Sequence, residues 1–250
     1  MTVTYGTLTV EWLGYATVRL EYEGTVVYLD PGRYGVLTGE WDADSESAAG
    51  AHPPGKDYRP EDGDLVCLTH IHHYDPDGIE RVASPDATVA AFDGINVHGS
   101  SRDLTRLASL PYEVVKLGME DEAVLADIPL WTVPAYNDPD GPRTTSDGTP
   151  FHPRGAGCGF VLVLGDTRVF WPGDSDVLDG HEQLDVDVFV PPIGGSFTMN
   201  RDEATELAEV LAPDLVVPVH YNTFEALETD SRAFAADVAS RSIPVALDER

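Results

Sequence analysis

Thr69-His70-Ile71-His72-His73-Tyr74-Asp75-Pro76-Asp77-Gly78 is the stretch on which the reading of this chain turns. It follows Leu65-Val66-Cys67-Leu68, a short apolar run of the kind that forms a buried strand, so the histidines fall where a strand gives way to a loop. Three histidines and an aspartate between His70 and Asp75 are hard to explain by packing, whereas imidazole nitrogen with carboxylate oxygen is the usual ligand set of a catalytic zinc. The bland alternative is a histidine-rich surface turn. It weakens because three more segments place similar donors at strand ends.

Those segments are Phe151-His152-Pro153-Arg154-Gly155, Trp171-Pro172-Gly173-Asp174-Ser175-Asp176 and Val217-Pro218-Val219-His220-Tyr221-Asn222. Each alone is a weak signal, since a lone histidine is more often a surface or hydrogen-bonded core residue and Gly-Asp is usually a turn. Their common position at the ends of apolar runs is how enzymes assemble one site from remote sequence.

Moving outward, Leu8 to Trp12, Thr17 to Tyr22 and Thr25 to Leu29 read as a β-meander. Residues 31 to 63 are rich in Gly, Pro, Asp, Glu and Ser and read as a long loop, with Tyr34 to Asp62 as a candidate lid. Short β-like runs follow at Thr88–Phe92, Tyr112–Val115, Leu130–Val133, Phe160–Leu164, Arg168–Trp171 and Val216–Val219. Ala204, Leu207, Ala208 and Leu211 share a helical face, and Asn200 with Glu203 fits a capping box at its start. A last helix is expected over Asp230 to Arg241, then a short strand around Pro244 to Leu247. This mixture predicts an α+β fold of two sheets faced by helices, in one domain spanning residues 1–250.

The formal net charge is −29 and the sequence contains only two lysines, Lys56 and Lys116. That combination resembles proteins of salt-in halophiles, in which concentrated salt screens acidic self-repulsion. In ordinary salt it argues against nucleic acid as a partner, because phosphate binding needs a cationic track, an argument that weakens in molar salt; a small-molecule substrate is the expectation, and self-association is compatible with it. Cys67 and Cys158 show no CxxC spacing and read as reduced thiols. With neither a basic-then-apolar leader nor about 18 consecutive apolar residues, no membrane span is expected and the cytoplasm is the default location.

The ordered set of motifs resembles the metallo-β-lactamase superfamily, in particular its UlaG-like and related archaeal hydrolase branch. That pattern runs strand-end Asp, HxHxDH, a separated His, a Gly-Asp and a late His; here Asp30, His70 and His72, His152, Asp174 and His220 match it, from about Val10 to Asn222. Trp12-Leu13-Gly14-Tyr15-Ala16, Val133-Pro134-Ala135-Tyr136-Asn137 and Gly195-Ser196-Phe197-Thr198-Met199 add to the likeness. The resemblance implies the αββα sandwich of that fold and a hydrolase using one or two zinc ions, manganese being the harder alternative, on an ester, lactone or phosphodiester. A metal-binding scaffold without turnover and a nuclease of the same superfamily are the competing readings.

It also implies roles. His70, His72 and His152 would bind one ion, and Asp174 would bridge to a second held by His220 with either His73 or Asp75. Asp30 would orient a ligand histidine, while Tyr136, Asn137, Arg154 and Tyr221 lie beside ligands and could meet substrate. The family's HxHxDH is broken here: an ungapped match puts Tyr74 and Asp75 on its Asp-His pair, a gapped one puts His73 on the second histidine. The reading leans to Asp75 as ligand and catalytic group beside Asp174, because adjacent His72 and His73 would point apart on an extended backbone. His52, His98 and His181 are read as ordinary polar residues.

Overall fold

The computed structural model describes residues 1–40, 57–98 and 102–248. Strands β1 (Thr2–Tyr5), β2 (Leu8–Gly14), β3 (Thr17–Tyr22) and β4 (Thr25–Leu29) form the expected antiparallel meander. The β3–β4 turn is two residues long, Glu23-Gly24, with φ of 48° and 90°, and positive φ at both positions matches the right-handed twist of the strands it joins. Three parallel strands extend the sheet, β5 (Gly63–Leu68), β6 (Ala83–Phe92) and β7 (Glu113–Leu117).

The second sheet repeats the plan. Strands β8 (Glu122–Leu125), β9 (Ile128–Ala135), β10 (Gly157–Leu164) and β11 (Thr167–Trp171) are antiparallel, and β12 (Val188–Phe189) and β13 (Leu215–Val216) add on in parallel. Helices are few: α1 (Pro76–Val82), α2 (Arg201–Leu211) and α3 (Ser231–Ser240). Asn200 and Glu203 close the capping box at the head of α2, satisfying backbone N–H groups that the first turn leaves open. One hydrophobic core takes Trp12, Tyr28 and Leu68 from the first sheet and Phe160, Trp171 and Phe189 from the second.

Two strands were expected longer than they are. The apolar run Val216–Val219 pairs as a strand only through Val216, and the Pro244–Leu247 segment makes a single bridge, Val216 to Val245. Proline accounts for both, since Pro218 and Pro244 lack the N–H that a ladder needs. The candidate lid lies mainly within residues 41–56, outside the described residues, as does His52. Among the described residues no helix is long and apolar enough to cross a membrane.

What matters for function is where the parallel strands end. β4 and β5 run side by side, Leu29 opposite Cys67, so Asp30 and Thr69 emerge next to each other. The sheets meet at the same end, where His70 bridges to Gly157 and Cys158 donates its N–H to the Thr69 carbonyl at 3.1 Å. Strand-end loops of both sheets therefore face one point.

Candidate metal centre

Asp174 occupies that point. It follows Gly173, whose φ of 65° and whose Cα position, with any Cβ falling 2.7 Å from the Cys158 carbonyl, admit only glycine. The turn delivers a carboxylate that is 5% exposed into a ring of imidazoles. Its Oδ2 lies 3.5 Å from both His70 Nε2 and His152 Nε2, and its Oδ1 lies 3.5 Å from both His73 Nε2 and His220 Nε2. His72 Nδ1 completes the first half, 3.0 Å from His152 Nε2.

None of the four contacts to Asp174 is a hydrogen bond. His70 Nε2, His73 Nε2, His220 Nε2 and Asp174 Oδ1 are buried without a hydrogen-bond partner among the described residues, a cost rarely tolerated unless something else binds there. Donors around a tetrahedral zinc with bonds of about 2.0–2.2 Å stand roughly 3.4 Å apart, close to the observed 3.5 Å. Two donor groups tight enough for an ion share His70: His70, His72 and His152, and His70, His73 and Asp174. The residues present fit a metal.

The ring tautomers agree. His73 Nδ1 lies 3.0 Å from Asp30 Oδ2, and His152 Nδ1 lies 3.2 Å from the Phe197 carbonyl, so each donates a proton there and turns a bare Nε2 lone pair inward. Thr69 Oγ1 donates to Asp30 Oδ2 at 2.7 Å and stands 2.9 Å from His70 Nδ1, which fixes His70 the same way. Asp30, at the strand end, also accepts from Thr69 N and from Trp171 Nε1 and so holds both sheets and two histidines. These contacts support the orienting role expected of it.

The turn after β5 departs from the expectation. Residues 71–73 are turn, not strand, with Tyr74 N–H bonded to the Ile71 carbonyl, so His72 and His73 both face the cluster. Asp75, expected to be the ligand and a catalytic group, instead caps α1: it accepts from Gly78 N at 3.2 Å and from Arg33 N. Tyr74 is fully buried, its hydroxyl bonded to the Thr105 carbonyl. His73, the alternative candidate, is the one that lies in the cluster.

Other assignments also change. Tyr221 is buried, stacks on Trp12 at 4.6 Å between centroids, and donates to the Asp248 carbonyl. Asn137 is spent on scaffolding, accepting from His152 N and donating to Asp176 Oδ1 and the Phe197 carbonyl. Tyr136 is half-buried beneath the guanidinium of exposed Arg154, 5.5 Å from its ring centroid. His98 is exposed and His181 is buried against Phe170.

Sequence reasoning missed Arg143, Asp176 and Tyr15 as parts of the site. Buried Arg143 ion-pairs with Asp176 at 2.9 Å and with Glu203, the α2 capping residue, which ties the His152 loop to the Asp174 turn and the head of α2. Tyr15, at φ 50°, lies edge-on to His73 and tilted over His220, and its carbonyl accepts from His220 N at 2.9 Å. Tyr15 and Asp176 lie in stretches the sequence already marks, Trp12 to Ala16 and Trp171 to Asp176, whereas nothing local marks Arg143.

Burial, reinforced by mutual repulsion, holds His70 and His220 well below the ordinary histidine pKa, and lowers His72 to about 4 and His152 to about 3. Neutral imidazoles are what a metal needs. Burial lowers His73 too, but the Asp174 and Asp30 carboxylates outweigh it and its pKa is raised; burial raises Asp174 to about 6. Buried His181 is lowered to about 4.

These shifts fix the acid response of the metal-free protein. A depressed histidine stays neutral in the native state while the unfolded chain takes up its proton near pH 6.5, so stability is whole above about 6.5 and falls as pH drops toward 4. His181 alone contributes roughly 3 kcal/mol of that loss. His73 and Asp174, with raised values, run the other way but are outnumbered. The thermal midpoint of chelated protein should therefore fall steeply between pH 6.5 and 4.5; a flat profile would contradict this reading of the cluster.

Comparison with known proteins places this geometry in context. The family model described as beta-lactamase superfamily domain matches residues 9–220. A UPF0173 metal-dependent hydrolase of Archaeoglobus fulgidus is 28% identical over 245 residues, covering 94% of this chain and 93% of its own. A solved structure from Parabacteroides distasonis superposes with a TM-score of 0.71 at 21% identity, over 100% of this chain and 98% of that one. Igni18, a metallo hydrolase of Ignicoccus hospitalis, gives 0.65 at 21% identity, over 97% and 95%.

Proposed function

The chain belongs to the beta-lactamase superfamily, and from that premise we propose that it is a zinc-dependent hydrolase acting on an ester, lactone or phosphodiester. The observation that carries this is the division of one carboxylate between two donor sets, Oδ2 toward His70 and His152 and Oδ1 toward His73 and His220. His70, His72 and His152 would hold one ion and His73 and His220 a second, with Asp174 between them. When bound, the ions would supply Lewis acidity and a water that ionises near neutral pH. The imidazole-rich set favours zinc over harder ions such as manganese. Asp30, Thr69 and the Phe197 carbonyl keep the ring nitrogens facing inward, and the Arg143–Asp176 pair holds the His152 loop against the Asp174 turn.

Metal analysis of protein purified without added metal should find one to two zinc ions per chain. Turnover of p-nitrophenyl acetate, a lactone or bis-p-nitrophenyl phosphate should vanish on chelation and return with zinc. Well under one ion per chain, with no uptake on reconstitution, rules the reading out; stoichiometric metal without turnover of any of the three points to the scaffold.

The halophilic setting is part of the same proposal. With 44 acidic against 15 basic residues, self-repulsion is strong when the Debye length is about 10 Å, near 0.1 M salt, and weak in molar salt. The thermal midpoint should rise across that range, and a salt-independent midpoint would refute the reading. Cys67 and Cys158 are free buried thiols, which suits the reducing cytoplasm.

A further inference from the structure

We infer that Arg33 and Arg102 form an anion-binding subsite at the mouth of the metal centre, and that the substrate carries a carboxylate or phosphate group beyond its scissile bond. The substrate clause rests on the hydrolase reading; the anion site does not.

Cations are scarce in this chain, and among the described residues seven of its 13 arginines pair with acids, Arg59 with Glu61 and Arg201 with Asp202 and Asp237 among them. Arg19 pairs with Glu11, Glu21 and Asp62, Arg81 with Asp57 and Asp77, Arg143 with Asp176 and Glu203, Arg168 with Asp185, and Arg241 with Glu209. Arg33 differs: its Nη1 donates to the His72 carbonyl, and among the described residues no carboxylate pairs with its guanidinium. Arg102 Nη2 donates to the Ile71 carbonyl at 2.7 Å. Consecutive carbonyls of the ligand turn thus tether two half-buried guanidiniums beside the histidines.

Both charges are felt where they stand. Burial lowers the Arg102 pKa and the Arg33 charge lowers it further, with the Asp75 carboxylate opposing both. Bringing like charges together in a partly dry site is unfavourable, and an anion shared between them reverses the sign. The planar guanidinium fork matches the two oxygens of a carboxylate or phosphate.

The neighbouring surface completes the subsite. The Arg33 guanidinium stacks 4.4 Å from the Tyr34 ring centroid, and Tyr34, 46% exposed, meets Tyr15 edge-on at 5.2 Å and Phe224 at 5.4 Å. Tyr15 in turn touches His73 and His220. An aromatic wall therefore runs from the cluster out to Arg33, so an apolar segment lying along it would carry its anionic end to the guanidiniums. Arg33 and Tyr34 both sit at positive φ, 64° and 52°, a strained pair of adjacent residues beside the ligand turn.

The test compares p-nitrophenyl acetate with mono-p-nitrophenyl glutarate, alongside calorimetric binding of glutarate and of inorganic phosphate to the zinc-loaded protein. Wild type should prefer the anionic ester in kcat/KM, and Arg33→Met and Arg102→Met should each cut that preference and the probe affinity about tenfold, the equivalent of about 1.4 kcal/mol. Arg33→Lys should recover part of it, and Arg168→Met, with the same charge change at a remote exposed site, should alter neither. Metal content separates this role from a structural one: if the variants lose zinc and both esters fall together, the guanidiniums only brace the turn and the inference is overturned. Turnover without anionic preference leaves the hydrolase and removes the subsite. Arginine-dependent probe binding without turnover leaves the subsite and removes the hydrolase. Whether glutarate or phosphate binds tighter identifies the anion.

Discussion

Replacing Asp174 with alanine should empty both halves of the cluster in one step and abolish turnover. The other donors are imidazoles, four of them held neutral, so Asp174 would supply the negative charge among the ligands of the proposed ions. Disturbing a residue that merely orients a ligand costs 10- to 100-fold in metal affinity or activity, and loss of a shared anionic donor should exceed that, upward of about 10³-fold. Asp174→Asn keeps the shape and hydrogen-bonding capacity but not the charge, and should retain at most part of the metal. The same substitutions should raise the thermal midpoint of the metal-free protein, because they remove a buried carboxylate whose pKa is driven up to about 6 by desolvation. Lower metal content with a higher metal-free midpoint is a paired signature that simple misfolding does not produce. Full zinc occupancy in Asp174→Ala would show that the carboxylate does not join the two halves.

Much of this arrangement is legible in the sequence, for reasons that differ by element. β3 and β4 were read to the residue because alternating apolar positions and a Gly-containing turn leave no other register. α2 was found because its cap is chemical as well as periodic. The edge strands β1 and β8 escaped notice, since only one neighbour demands their alternation and most of their positions stay partly or fully exposed. β12, two residues long, is too short to carry a period.

At the site, donors at strand ends can be counted in sequence, and the resemblance of their order to the metallo-β-lactamase pattern implies that His70, His72, His152, Asp174 and His220 meet. What could not be counted was side-chain partnership across loops. Nothing local marks Arg143 as the partner of Asp176, 33 residues away, and Asn137 looks identical in sequence whether it binds substrate or, as here, spends its amide on the His152 loop. A legible signal also lies at Asp75-Pro76. Aspartate followed by proline is a helix-start signature, with the side chain at the N-cap and proline at the first helical position; reading it so would have freed the site for His73.

That correction leads to the sharpest test of the geometry. His73→Ala should empty the half of the cluster shared with His220, because His73 Nε2 is 3.5 Å from Asp174 Oδ1 and its other nitrogen is anchored on Asp30. Zinc should drop toward one ion per chain and turnover should fall with it, while His70, His72 and His152 keep the first ion. Asp75→Ala should behave differently. It removes an N-cap, which costs about 1 kcal/mol, and releases the Arg33 backbone that the same carboxylate holds, so the thermal midpoint should fall by several degrees with the ion count unchanged. Asp75→Asn, which still caps, should recover most of that stability. Measured side by side, the pair separates a ligand from a cap: metal loss in one variant and stability loss in the other. If Asp75→Ala sheds an ion while His73→Ala keeps both, the carboxylate is the donor after all and the turn rearranges when metal binds.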